Sequence, residues 1–177
     1  MLILAMVGAL LTTAAVFAGD ASYTEYQVKA LFLLNFAKYV DWPAEAFADA
    51  NAPLIISVVG EDHFGDSLQK AVESKIVNGR PILIRQVVTD DDLAKCHILF
   101  ISDSEKSRLP AILEKVRGKP VLTVGESEHF AESGGVIGFV RKDGKIRLEI
   151  DLNPARLAGL RISSKLLSVA DVVRGKP

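Results

Sequence analysis

The chain has 177 residues, with 21 Lys plus Arg against 22 Asp plus Glu and a net charge of −1. That balance provides neither the basic stripe of a nucleic-acid binder nor a charged tail. A single cysteine, Cys96, excludes an intramolecular disulfide, a C-x-x-C pair and a cysteine-based zinc site, so no cofactor or structural metal is expected.

In chain order, residues 1–18 hold no charge and are apolar apart from Gly8, Thr12 and Thr13. Val16-Phe17-Ala18 has the small-x-small ending that a signal peptidase cuts, and the chain turns polar at Gly19-Asp20. The segment reads as a secretory signal peptide, which leaves one domain at 19–177 working outside the cytoplasm, in the periplasm. Its start lacks Lys or Arg, so a start further upstream or an uncleaved anchor stays open. It is short against the ~20 apolar residues of a membrane span.

Ser22-x-x-Glu25 has the spacing of a capping box and predicts a helix over 23–41, stopped before Trp42-Pro43. Turned at ~100° per residue, its apolar side chains cover the whole circumference, from Val28 and Leu31 to Tyr39 and Val40. Such a helix needs cover on every side, from its own domain or from a second chain. Beyond it, strands at 54–59, 82–88, 97–102 and 121–124 alternate with helices at 66–74, 90–95, 106–117 and 127–131. The fold class is therefore α/β: a single domain with a mainly parallel sheet and helices on both faces. Asp143-Gly144 between two strand patterns, 136–142 and 145–150, adds an antiparallel hairpin. Asn153-Pro154 predicts a capped short helix ending at Gly159. Ser163 predicts a last helix with Leu166, Val169, Ala170 and Val173 on one face.

In an open α/β sheet a ligand crevice lies beyond the carboxyl ends of the strands, here at Gly60, Ser102 and Gly125. The loops that follow carry acids, which repel phosphate, and neither G-x-x-x-x-G-K-[ST] nor G-x-G-x-x-G occurs. Helix caps and first-turn charges account for these acids more simply than a site does. His63, His97 and His129 show no metal-ligand spacing, and the G-x-S-x-G elbow is absent. No catalytic residue is expected. What remains is apolar surface: Leu166, Leu167, Val169, Val172 and Val173 make a stripe wider than a core needs, a candidate partner-binding surface.

Glu25-Tyr26-Gln27-Val28-Lys29-Ala30 leading to Asn35-Phe36-Ala37-Lys38-Tyr39-Val40-Asp41-Trp42-Pro43 resembles the opening of the YfiR family of periplasmic proteins. So do Val58-Val59-Gly60-Glu61-Asp62-His63-Phe64-Gly65, Asn78-Gly79-Arg80-Pro81 and Cys96-His97-Ile98-Leu99-Phe100-Ile101-Ser102. Gly134-Gly135-Val136-Ile137-Gly138-Phe139 and Ile162-Ser163-Ser164-Lys165-Leu166-Leu167 complete the likeness, in order, over the domain. The resemblance implies a compact α/β domain without enzymatic activity. It would bind the periplasmic domain of an inner-membrane diguanylate cyclase, or of a sensor kinase, and so restrain cyclic-di-GMP synthesis. Apolar residues near the C-terminal end would make the contact, and a homodimer stays open. It also implies a cysteine at the place of Ser57, able to pair with the one matching Cys96; with Ser57 that bridge is lost. The alternative is a small-molecule-binding module using the strand-end crevice.

Overall fold

The computed structural model describes residues 23–173; the expected signal peptide lies outside them. An eight-stranded sheet forms the middle of the molecule. Its strands are β2 (Leu54–Val59), β3 (Ile76–Val77), β4 (Arg80–Gln86), β5 (Ile98–Ile101), β6 (Leu122–Gly125), β7 (Ile137–Lys142), β8 (Lys145–Asp151) and β10 (Asp171–Val173). The strand order is β10-β8-β7-β6-β5-β2-β4-β3. All neighbours run parallel except β7–β8 and β3–β4. A separate antiparallel pair joins β1 (Val40–Asp41) to β9 (Arg161–Ile162).

The two faces are covered by different helices. On one face, α1 (Glu25–Tyr39) and α2 (Asp66–Val72) bury Leu33, Phe36 and Leu68 with Ile56, Val58, Phe100 and Ile150 of the strands. On the other, α3 (Leu109–Val116) buries Leu109, Ile112 and Val116 with Val59, Leu99 and Ile101. Burying Phe36 or Ile112 stabilises the fold by about 1.5–3 kcal/mol each. The parallel strands are therefore apolar on both sides, β5 being buried along its whole length.

Several expectations shift. The cap of α1 is Thr24: its hydroxyl accepts from the Gln27 N–H while the Gln27 side chain accepts from the Thr24 N–H, a capping box two residues past Ser22. Its wide apolar surface is mostly met within the domain. Phe32 and Phe36 stack with each other, both rings contact Phe139, and Leu31 and Tyr39 are left exposed. Residues 127–131 form turns, because His129 adopts a left-handed φ of 57° and the Phe130 ring is clamped between Gly125 and Gly135. The cap of α4 (Leu152–Leu157) is Asp151, whose carboxylate accepts from the Asn153 N–H at 2.8 Å. Pro154 then falls in the first turn, where its missing N–H costs nothing.

The predicted last helix is one turn, α5 (Ser164–Leu167), capped by Ser163 as expected. The chain then turns, and Val172 and Val173 pair as β10 with Ile150 and Asp151 of β8. β-branched neighbours disfavour the helix, and the open edge of β8 offers them a ladder. The Asp143-Gly144 turn holds as predicted. A second turn of the same kind, Asn78-Gly79 with φ of 52° and 78°, closes the β3–β4 hairpin that the hydrophobic pattern alone concealed.

Candidate functional site

Because β2, β5 and β6 are adjacent, Gly60, Ser102 and Gly125 meet at one end of the sheet. Each is engaged by the chain itself. Gly60 has a φ of 88° and lies so close to Ser104 and Glu105 that a side chain would collide with them. The Glu61 N–H donates to Ser104 Oγ at 2.9 Å, which stitches two of the loops together. Gly125 leaves room for the Phe130 ring.

Glu126 organises this end. Its side chain is 7 % exposed, and Lys29 Nζ donates to it at 2.6 Å. The Tyr26 hydroxyl donates at 3.1 Å, the Asp103 N–H at 3.1 Å and Ser102 Oγ at 3.5 Å. Burial, and next to it the Glu126 charge, push the Tyr26 phenol well above its ordinary range, so it stays a neutral donor. The hydrogen bond from Lys29 holds the Glu25 carboxyl below the usual carboxylate range. Beside this cluster, Asp103, Lys106, Glu126, Ser127, Glu128 and Ser133 line a hollow of about 650 Å³. Ser127 Oγ is buried without a hydrogen-bond partner. Neither Lys29 nor Glu126 stood out in the sequence. A usable signal was present: Lys29 is a lone cation in line with Leu33 and Phe36, at i, i+4 and i+7 on a face that must be buried.

The histidines lie apart. His97 sits at the amino end of β5; its Nδ1 accepts from the Ile55 N–H at 3.0 Å, so Nε2 carries the proton toward the Ala46 carbonyl at 3.1 Å. Phe47 stacks on the ring at 4.3 Å, and Trp42 Nε1 donates to the His97 carbonyl, so the residue pegs the 42–53 loop. Burial lowers its pKa, and the ring is neutral. His63 and His129 are exposed beside Glu61 and Glu132.

Cys96 is a buried free thiol that donates to the Leu93 carbonyl; burial pushes it up to about 12, which makes it inert. The Ser57 side chain lies near enough to act on the thiol, and Ser57 is itself buried. The two positions that the family resemblance pairs are thus neighbours across β2 and the start of β5.

The five apolar residues of the C-terminal segment divide. Leu166 is buried against α1, and Leu167 and Val173 are half-buried. Val169 and Val172 are 61 % and 55 % exposed. Val169 stands in a turn and Val172 on the edge strand, so the two do not lie on a helical stripe. The outer side of β10 pairs with no described strand.

Among solved structures, the chain is similar to the ABC domain in complex with L-Trp from Streptococcus pneumoniae, with a TM-score of 0.54 and 12 % identity over 81 % of this chain and 60 % of that one. It is also similar to a conserved domain protein from Vibrio cholerae, with a TM-score of 0.48 and 14 % identity over 67 % and 54 %. The chain thus spans little more than half the length of either structure. No curated protein sequence matches it. The family model described as DUF4154, YfiR/HmsC-like, matches residues 26–171, from the first turn of α1 to the first residue of β10, and the chain belongs to that family.

Proposed function

We propose that this protein is an exported, periplasmic regulator without enzymatic activity, residues 1–18 being its cleaved signal peptide. It binds the periplasmic part of an inner-membrane signalling protein of the diguanylate cyclase type and restrains cyclic-di-GMP synthesis. The observation that carries the reading is membership of the YfiR/HmsC-like family over nearly the whole described chain. Two structural features agree with it. No described helix is long and apolar enough to cross a membrane. Val172 lies exposed on a short edge strand and Val169 in the turn that leads into it, and an edge of that kind is one to which a partner segment adds. Leu166, Leu167 and Val173, buried or half-buried in the same segment, complete the candidate surface.

Restraint is differential binding: the regulator favours the inactive arrangement only by the margin with which it prefers that arrangement. Deleting the gene should raise cellular cyclic-di-GMP, and supplying the protein from a plasmid should lower it again. An unchanged nucleotide level in the deletion strain would contradict the reading.

A second reading, a small-molecule-binding module, is favoured by the unpartnered Ser127 Oγ beside the strand-end hollow, at the end of the sheet that carries Gly60, Ser102 and Gly125. Thermal-shift screening with periplasmic metabolites tests it. A ligand that stabilises the wild type and not Ser127→Ala supports it, and flat melting curves across the screen dismiss it.

A further inference from the structure

The ammonium of Lys29 is held like a ligand. It lies 2.6 Å from Glu25 Oε1 and 2.6 Å from Glu126 Oε2, 4.5 Å from the centre of the Tyr26 ring and 5.9 Å from that of Phe139. Two donors thus meet carboxylates, and aromatic faces take the remaining positive edge, the composition of a site for a primary ammonium. Both carboxylates have supports besides Lys29. Glu126 is fixed from behind by the Asp103 N–H, Ser102 Oγ and the Tyr26 hydroxyl, and Glu25 is bonded to Arg141.

The cage also sits where α1 crosses the strand ends. Tyr26 packs on His63 and Phe64 after β2, Glu126 follows β6 and bonds the 102–103 backbone after β5, and Arg141 is on β7. We propose that Glu25, Tyr26, Glu126 and Phe139 form a preorganised recognition site for a primary ammonium group, occupied in the folded chain by Lys29, whose capture latches the first two turns of α1 over the carboxyl ends of the sheet. Without the lysine the two carboxylates and Arg141 sum to −1, so the emptied cage attracts a cation. The short oxygen contacts require N–H donors, which selects an alkylammonium over a quaternary ion. The latch does not depend on which partner the protein regulates.

Lys29→Ala in the full chain removes the equivalent of n-propylammonium, and rescue by that ion is the test. Added n-propylammonium chloride should raise the melting temperature of Lys29→Ala in a saturable way and leave the wild type unmoved. Matched tetramethylammonium chloride and n-propanol should not reproduce the effect. A shift in the variant no larger than the tetramethylammonium shift, or equal shifts in variant and wild type, would overturn the proposal. Lys29→Met, which keeps the stem and drops the charge, covers the case in which the alanine variant does not fold. Its amides at 28–32 should exchange about a hundredfold faster than in the wild type, with β5 and β6 unchanged. Wild-type protection at those amides would also overturn the latch.

Discussion

The strand-end cluster and the C-terminal edge handle surface in opposite ways. At the strand ends, polar groups are turned inward and matched to one another: Lys29, Glu126, Tyr26 and Ser102 share one network, and the close-packed glycines admit the chain's own side chains. At β10, apolar groups are turned outward and left uncovered, with Val169 and Val172 more than half exposed. On the proposed function, the first region serves the fold and the second is the edge a partner covers. Changes in the first region should therefore act on folding, and changes in the second on association.

The largest effect is expected at Glu126. Glu126→Ala leaves the Lys29 ammonium buried beside one carboxylate fewer, and removing one partner of a buried pair costs about 3–5 kcal/mol. Replacing both partners, Lys29→Met with Glu126→Leu, should recover part of that in urea unfolding, the remainder being the Tyr26 hydroxyl and Asp103 N–H left without their acceptor. If Glu126→Ala unfolded like the wild type, the inward network would contribute nothing.

Ser57→Cys comes next and has the opposite sign. A bridge to Cys96 should form on export and raise stability by about 2–4 kcal/mol, an increment that reductant removes. In the native wild type, Cys96 should resist thiol reagents until the chain unfolds, as a thiol pushed up to about 12 requires.

A smaller effect is the pH dependence through His97. Its pKa is lowered in the folded chain, so below ~6.5 the unfolded chain takes up a proton that the native ring refuses. Stability is then present above that pH and falls as the pH drops, by at most about 1.4 kcal/mol per unit from this group. His97→Gln should flatten unfolding curves compared between pH 7 and pH 5.

The smallest effect on folding is expected at the edge. Val169→Asp with Val172→Asp should move stability by no more than about 0.5 kcal/mol per substitution, because neither side chain is packed. A large loss of stability would show that the valines belong to the core, and the contrast between the two regions would fail.

How far the sequence could be read follows the same contrast. β2 was legible to the residue because a short, nearly unbroken apolar run records burial on both faces. The Asp143-Gly144 hairpin was legible because its turn demands particular residues. The β3–β4 hairpin carried the same signature in Asn78-Gly79, but β3 has only two residues, too few for a pattern to show. β10 was misread because a serine cap followed by spaced apolar residues describes a helix equally well until the free edge of β8 is known. The Lys29–Glu126 contact joins residues 97 positions apart, and nothing local in either residue announces the other. Gly60, Ser102 and Gly125 were placed at one end by topology alone, whereas the side chains that fill that end needed coordinates.

The most direct test of the regulatory account is cellular cyclic-di-GMP in a deletion strain carrying either the wild-type gene or Val169→Asp with Val172→Asp, at matched periplasmic protein levels. The account predicts that the wild type restores the low nucleotide level and that the double variant, folded and exported, leaves it high. Equal restoration by both would contradict the claim that this edge is where the protein acts.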